Sequence, residues 1–231
     1  FGVPDDYLFS YALPVLRRHA ASGKPFFATL LTISNHPPFV VPAEFQIPGL
    51  APEQQIVRYA DHCIGQFMQA VSKEPWARNT LFVFLGDHGK LLGQTDAELP
   101  ESFNHIPLIF HASWLKPAER TQFAGQVDVA PTILGLLRLP YVQNNFGLDL
   151  LHDAPRPAAF YTADKMIAAR NARQLFLYNA ELKQTYCYNI APDGRPVPTS
   201  FSPAFAPLRQ YVFALLQTTE YMVQHGMTRT R

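Results

Sequence analysis

The stretch that decides the fold is residues 79–89, NTLFVFLGDHG. Its middle is a continuous apolar run of strand length, which is typical of a strand covered on both faces of a sheet. The run ends at Gly86, and Asp87 and His88 follow between two glycines. Because ligands of open α/β sheets bind beyond the carboxyl ends of the strands, the stretch predicts a buried strand with two polar side chains at a sheet edge.

Two segments upstream extend this strand into a larger unit. Residues 51–74 predict an amphipathic helix, because apolar side chains recur there at spacings of three and four. Residues 25–33, PFFATLLTI, predict an earlier buried strand. Together with residues 79–85 they predict a right-handed parallel strand–helix–strand unit. Since His36 comes just after the earlier strand, we expect it at the same sheet edge as Asp87 and His88.

The remaining pattern completes an α/β fold. We expect a mainly parallel central sheet with helices on both faces, plus a C-terminal antiparallel strand extension and a closing helix. The expected helices and strands of these regions are an opening helix over residues 5–16 that Pro14 kinks or restarts, a strand at 105–110, a helix at 129–137 capped by Asp128, strands at 158–162, 165–170, 174–178 and 183–190, and a helix at 208–223.

We divide this fold at residue 153. Residues 1–153 are expected to form the α/β core, and residues 154–231 the antiparallel extension of the same domain, since no flexible linker separates them.

Composition narrows the classes of function. The chain has 231 residues, of which 48% are hydrophobic, so it can bury a large core. The formal net charge of +1 supplies no long-range field for gathering nucleic acid, so we expect no nucleic-acid partner. No apolar run approaches the roughly 20 residues that a membrane helix needs. The two cysteines, Cys63 and Cys187, are best explained as buried thiols.

The Asp87–His88 pair is the candidate metal site. The glycines on either side permit a sharp turn that lets both side chains address one point. A carboxylate oxygen and an imidazole nitrogen together suit Mn²⁺ or Zn²⁺, which act as Lewis acids at a phosphoryl oxygen. The residues alone leave an alternative open, in which Asp87 caps a turn and His88 is an ordinary loop histidine.

Four ordered motifs make the interpretation more specific. They are LLTISNHPPF at 30–39, RYAD at 58–61, FLGDHG at 84–89 and AGQVDVAPTIL at 124–134, and the opening FGVPDD at 1–6 fits the same order. In this order they resemble the C-terminal part of the catalytic domain of lipoteichoic acid synthase-like phosphoglycerol transferases, which are part of the alkaline phosphatase and sulfatase superfamily. The resemblance covers about residues 1–150.

The resemblance implies an extracytoplasmic enzyme domain anchored by N-terminal membrane helices. Such enzymes move glycerol phosphate from a phosphatidylglycerol-type lipid to a glycerol-phosphate polymer or a glycan. The family's metal, Mn²⁺ or Mg²⁺, is held by a Glu, a nucleophilic Thr and a pair that matches Asp87 and His88. His36 matches a histidine that contacts the substrate's phosphoglycerol group. His105 resembles a position near the metal, with a structural histidine as the alternative.

The family's Glu and nucleophilic Thr have no match in this chain. We therefore expect the catalytic Thr upstream of Phe1, in a half of the same protein that also carries the membrane helices. The chain by itself is expected to be inactive.

Two other functions remain open at this point. A sulfatase or phosphodiesterase of the same superfamily would resolve the covalent intermediate with water. A noncatalytic binding module would retain Asp87 and His88 as remnants of a metal site.

Overall fold

The computed structural model describes residues 2–91, 95, 97–163 and 165–228. The chain forms two compact units. The first comprises Phe1–Val83 and Phe110–Lys116, and the second comprises Phe84–Ile109 and Pro117–Arg231. The boundary predicted at residue 153 falls inside the second unit.

The first unit is built on two packed helices, α1 (Asp5–Ala21) and α2 (Pro52–Val71). The buried apolar positions of α2 recur every three or four residues, as predicted, and they are Ile56, Tyr59, Cys63, Phe67 and Val71. The rings of Phe9 and Phe67 stack at 4.8 Å across the interface. A restart at Pro14 is wrong, because α1 continues through this residue to Ala21, whereas the alternative of a kink stays a prediction.

Residues 25–33 do not form the predicted strand. The structure assigns no strand to them. Two of their large apolar side chains face solvent, since Phe27 is 85% exposed and Leu31 is 78% exposed. The apolar run correctly indicates a segment suited to burial, but the described part of the chain covers only one side of it. The predicted parallel unit is therefore not formed among these residues.

The predicted strand before Gly86 is confirmed as β1 (Phe82–Leu85), and the third predicted strand as β2 (Leu108–His111). They pair with each other in a two-stranded sheet. The ring of Phe82 lies 6.3 Å from that of His111. A Cβ added to Gly86 would lie 3.5 Å from the side chain of Ile106. The end of β1 and the beginning of β2 therefore open at the same edge.

The second unit also contains a five-stranded antiparallel sheet. Short helices α3 (Glu101–Asn104) and α4 (Val129–Leu136) precede it, and helix α5 (Ala206–Gln224) follows it. The strands, in chain order and spatial order, are β3 (Ala159–Ala163), β4 (Met166–Arg170), β5 (Gln174–Asn179), β6 (Gln184–Ile190) and β7 (Pro196–Thr199). The α/β fold with an antiparallel extension and a closing helix is thus confirmed.

Sequence reasoning missed β7. Its sequence PVPT contains two prolines, which cannot donate to a strand ladder and argue against a central strand. The structure places β7 at the edge of the sheet, paired only with β6, where proline is tolerated.

The two faces of this sheet are covered by different elements. Ile167 and Ala169 of β4 face α5, where they pack with Leu208 and Val212. The alternate positions of β4, Met166 and Ala168, face the opposite way and pack with Ala97 and Leu99 from the segment before α3. The period of two along β4 therefore anchors α5 on one face and the segment 97–99 on the other.

Asp128 lies at the centre of a buried polar network. Its carboxylate is fully buried and accepts hydrogen bonds from the backbone N–H of Gly125 and of Leu148, at 2.7 and 2.8 Å. The guanidinium of Arg156, also buried, donates to the same carboxylate. Asp128 directly precedes α4, but the predicted cap is not formed by its side chain, which makes no capping hydrogen bond to the helix. Its carboxylate instead binds the loops on both sides of α4.

Both cysteines are free and buried, as predicted. Burial raises the pKa of each thiol above its usual range, because the thiolate is poorly solvated there. Among the helices of the described residues, none combines the length and the apolar character needed to cross a membrane.

The buried ion pair between Asp128 and Arg156 gives a first prediction. Asp128→Ala should lower the free energy of unfolding by about 3–5 kcal/mol, because it leaves the Arg156 charge buried without a partner. Urea unfolding followed by circular dichroism measures this change. The double variant Asp128→Ala/Arg156→Met should regain part of the loss. Asp193→Ala, which removes an exposed partner of Arg195, is the control and should leave stability unchanged. If Asp128→Ala and Asp193→Ala were equally stable, the hydrogen-bond network around Asp128 would contribute little to stability.

Candidate metal centre

The candidate site is a tight turn that directly follows β1. The backbone N–H of His88 donates to the Asp87 carboxylate at 2.9 Å, and the backbone N–H of Gly89 donates to the Phe103 carbonyl at 2.7 Å. The side chains remain open, since those of Asp87 and His88 are 78% and 51% exposed. Main-chain hydrogen bonds therefore hold the turn in place while both side chains stay accessible.

The imidazole of His88 is oriented by two contacts. Its Nδ1 lies 2.7 Å from the Gly89 carbonyl, and because a carbonyl can only accept, Nδ1 carries the proton. The neutral ring then has its lone pair on Nε2. The ring also stacks on Phe103, with centroids 4.7 Å apart. A histidine whose second ring nitrogen donates to a backbone carbonyl has the arrangement common among metal ligands.

The two glycines are required by close backbone approaches. A Cβ on Gly89 would overlap the carbonyl of Ser102, so only glycine lets α3 come this close. A Cβ on Gly86 would lie 3.2 Å from the carbonyl of His88, tighter than an ordinary contact. The glycines that suggested a sharp turn in the sequence therefore have a steric reason in the structure.

Gln126 supports the turn from another direction. Its side-chain amide donates to the Asp87 carbonyl at 2.7 Å, with a longer contact of 3.4 Å to the Gly86 carbonyl. Gln126 begins the 3₁₀ turn that ends at Asp128, so the buried Asp128 network holds this amide in position.

His105 lies near the turn in the chain's path. Its backbone N–H closes α3 by donating to the Glu101 carbonyl at 2.7 Å, and the next residue, Ile106, packs against Gly86. The side chain of His105 is exposed. The structure thus brings His105 to the same sheet edge as Asp87 and His88, while its role at the site stays a prediction.

His36 belongs to the first unit, and its proximity to Asp87 stays a prediction. Its loop is held by the buried carboxylate of Asp5, which accepts from the backbone N–H of Ile33 and Ser34, at 3.1 and 3.0 Å, and from the Ser34 hydroxyl at 2.8 Å. His36 Nδ1 donates to the Pro37 carbonyl at 2.7 Å, which fixes the tautomer of the neutral ring.

The two predicted ligands fit a divalent metal in chemistry. The Asp87 Oδ2 and His88 Nε2 atoms lie 4.0 Å apart on two neighbouring, exposed side chains. A carboxylate and an imidazole suit Mn²⁺ or Zn²⁺. No group of three or more His, Cys, Asp or Glu side chains gathers around a metal position within the described residues.

Three residues that sequence reasoning missed shape these loops. Phe103 stacks on His88 and accepts from Gly89, Gln126 holds the Asp87 carbonyl, and Asp5 fixes the His36 loop. Gln126 lies inside the motif 124–134, so its side-chain donor was available as a signal. Asp5 was predicted only as the first residue of the opening helix, and Phe103 gave no signal in the sequence.

A protein family and several known proteins match parts of this chain. Residues 1–139 match the protein family described as Sulfatase. Lipoteichoic acid synthase 2 of Bacillus subtilis is 31% identical over 159 residues, covering 59% of this chain and 24% of that protein. Phosphoglycerol transferase I of Xanthomonas campestris pv. campestris is 27% identical over 174 residues, covering 71% of this chain and 25% of the relative. The chain thus spans about a quarter of these relatives.

A solved structure shows the same fold. A protein of the alkaline phosphatase superfamily from Vibrio parahaemolyticus superposes with a TM-score of 0.85 at 21% identity, over 100% of this chain and 57% of that one. The match extends through the antiparallel sheet and α5, beyond the 139 residues of the family match. On the sulfatase match across more than half of its length, the chain belongs to the sulfatase family.

Proposed function

We propose that this chain supplies the Asp87–His88 part of the metal centre of a phosphoglycerol transferase. The observation that carries the proposal is the turn itself, in which His88 is held with its lone pair on Nε2, beside the Asp87 carboxylate. The names of the relatives, lipoteichoic acid synthase and phosphoglycerol transferase, favour transfer of glycerol phosphate over other reactions of the superfamily.

The chain's own residues would divide the work as follows. Asp87 and His88 would hold the metal, which supplies Lewis-acid activation of the nucleophile and neutralises charge on the phosphoryl oxygens. Mn²⁺ or Mg²⁺ is the proposed ion. His36 would bind the phosphoglycerol group of the substrate, and His105 would contact the substrate from the α3–β2 connection. A Thr outside this chain would be the nucleophile and form the covalent intermediate.

The proposed donor is a phosphatidylglycerol-type lipid, and the acceptor is a glycerol-phosphate polymer or a glycan. A lipid donor places the reaction at a membrane surface. We therefore propose an extracytoplasmic domain, on the periplasmic side or the outer face of the cell membrane, joined in the complete protein to an upstream half with membrane helices.

The sulfatase family match favours one second candidate, a sulfatase or phosphodiesterase. Transfer and hydrolysis would share the metal and the nucleophile, and would differ in whether an alcohol or water attacks the covalent intermediate. An assay of the complete protein with a fluorescent phosphatidylglycerol and with an aryl sulfate distinguishes them. Release of aryl alcohol without glycerol phosphate transfer would favour the sulfatase.

Substitution of the metal ligands tests the proposed centre. In the complete enzyme, Asp87→Ala and His88→Ala should each lower kcat by about 10³-fold, because both activation and charge stabilisation are lost. His36→Ala should mainly raise KM and leave the bound metal in place. Kinetics and metal analysis of the purified variants measure these effects.

The control for these variants is His62→Ala. His62 is exposed on α2, and its ring is tilted against that of Phe45 with centroids 5.1 Å apart. Its loss should change neither metal content nor turnover by more than about twofold. Equal metal loss in the His36, Asp87 and His88 variants would make His36 a ligand and contradict its assignment to substrate.

The chain by itself should fold but not turn over. The packed helices and the two-faced sheet are sufficient for a core, whereas no hydroxyl nucleophile is assigned to these residues. The measurement is diacylglycerol release from fluorescent phosphatidylglycerol with Mn²⁺, after circular dichroism has shown folding. Metal-dependent release by the 231-residue chain would place a nucleophile within it and refute the division of roles.

A further inference from the structure

We propose that Arg170 is a positioning residue for the Asp87–His88 turn, acting through Glu101 and α3. The role rests on the proposed metal centre, and it assigns a function to the antiparallel sheet, which lies beyond the 139 residues of the sulfatase match. The inference follows a continuous series of contacts from β4 to the ring of His88, all within the second unit.

The first contact is an ion pair between the sheet and α3. Arg170 Nε donates to the Glu101 carboxylate at 2.6 Å, and the two side chains are only 19% and 23% exposed. The same guanidinium donates to the Asn171 carbonyl at 2.9 Å and lies 5.6 Å from the centre of the Phe123 ring. With three partners, the arginine is held in one orientation, so it fixes where α3 begins.

The second contact connects α3 to the turn. Phe103, two residues after Glu101, accepts the Gly89 N–H through its carbonyl and stacks its ring on His88. A helix of four residues is too short to be stable by itself, because nucleation costs more than one turn returns. The conformation of α3, and therefore the position of Phe103, must come from its tertiary contacts.

A second anchor holds the segment before α3 on the same sheet. Ala97 and Leu99 are 8% and 2% exposed and pack against Ala168 and Leu177. The Tyr188 hydroxyl donates to the Glu98 carboxylate. Burial of Ala97 and Leu99 holds the segment before α3 against the sheet, and the Arg170–Glu101 ion pair holds the first residue of α3.

This arrangement explains how an exposed metal turn can be rigid. Asp87 and His88 have few contacts of their own, so their geometry depends on the surface behind them. That surface is the 102–103 backbone, which approaches Gly89 too closely for any other residue. Loss of the Arg170 contact should therefore loosen the turn without removing a metal ligand.

Nuclear magnetic resonance on the 231-residue chain tests this role. In Arg170→Gln, exchange of the Gly89 amide hydrogen should rise about fivefold, and the Mn²⁺ concentration that half-broadens the His88 ring signal should rise by a similar factor. The cross-peak between the His88 and Phe103 rings should weaken. Arg170→Lys, which keeps the charge and one donor, should restore most of the wild-type behaviour.

The matched control is Lys165→Gln. Lys165 precedes β4 and pairs with Glu181 at 2.6 Å, but this exposed pair lies away from α3. Lys165→Gln should change neither the exchange of the Gly89 amide hydrogen nor the Mn²⁺ concentration needed to broaden the His88 ring signal. The Leu177 amide in the sheet core should exchange at the wild-type rate in every variant. An equal rise of Leu177 exchange in Arg170→Gln would reduce the role of Arg170 to general stability and overturn the proposal.

Unchanged Gly89 exchange and an unchanged ring cross-peak in Arg170→Gln would also overturn it. The assignment of Asp87 and His88 as metal ligands is tested separately, by the broadening of the His88 ring signal with Mn²⁺. If Mn²⁺ does not broaden His88 in the wild-type chain, Asp87 and His88 are not a metal centre in this chain, and the positioning of the turn is decided by Gly89 exchange.

Discussion

The buried carboxylate of Asp128 is the constraint on which the second unit depends. A fully buried charge is tolerated only when it is paired and hydrogen-bonded. Here the Arg156 guanidinium and the backbone N–H groups of Gly125 and Leu148 meet that requirement. Each partner belongs to a different segment, so the charge can be neutralised only when all of these segments are in place.

The same network reaches the candidate site. The bond from Gly125 to Asp128 closes the 3₁₀ turn that begins at Gln126, and the Gln126 amide holds the Asp87 carbonyl. Nearby, a Cβ on Gly135 would overlap the Asp149 carboxylate, so that side chain would have to move to admit a larger residue. The motif 124–134, which carried part of the family resemblance, is therefore structural support for the Asp87–His88 turn, and none of its residues is assigned to the chemistry.

Local pattern predicted the elements that complete their own burial within this chain. Helix α2 and strands β3 to β6 were found because their apolar period matches a face that other residues of the same unit cover. The segment 25–33 failed for the opposite reason, since Phe27 and Leu31 have the composition of a buried strand and no covering elements among the described residues. Strand β7 was not predicted, because its prolines argue against a strand in the centre of a sheet. At the edge of the sheet, where β7 pairs with β6, prolines are tolerated.

The site shows the same division between what residue type reveals and what contact decides. Asp87 and His88 were predicted from their chemistry and their place after a strand. The structure has both in the turn after β1, and their role as metal ligands stays a prediction. Three main-chain contacts help to orient them: the Gly89 carbonyl on Nδ1, the Phe103 carbonyl on the Gly89 N–H, and the Ser102 backbone against Gly89. Two side chains add to these, the Phe103 ring and the Gln126 amide. Backbone groups are the same in every residue, so a pattern of side chains does not predict their contacts. The glycines beside these contacts are the signal that the sequence contains. The glycines therefore allowed the Asp87–His88 turn to be predicted, whereas α3 and the turn at Gln126, which contact it, were not predicted as its supports.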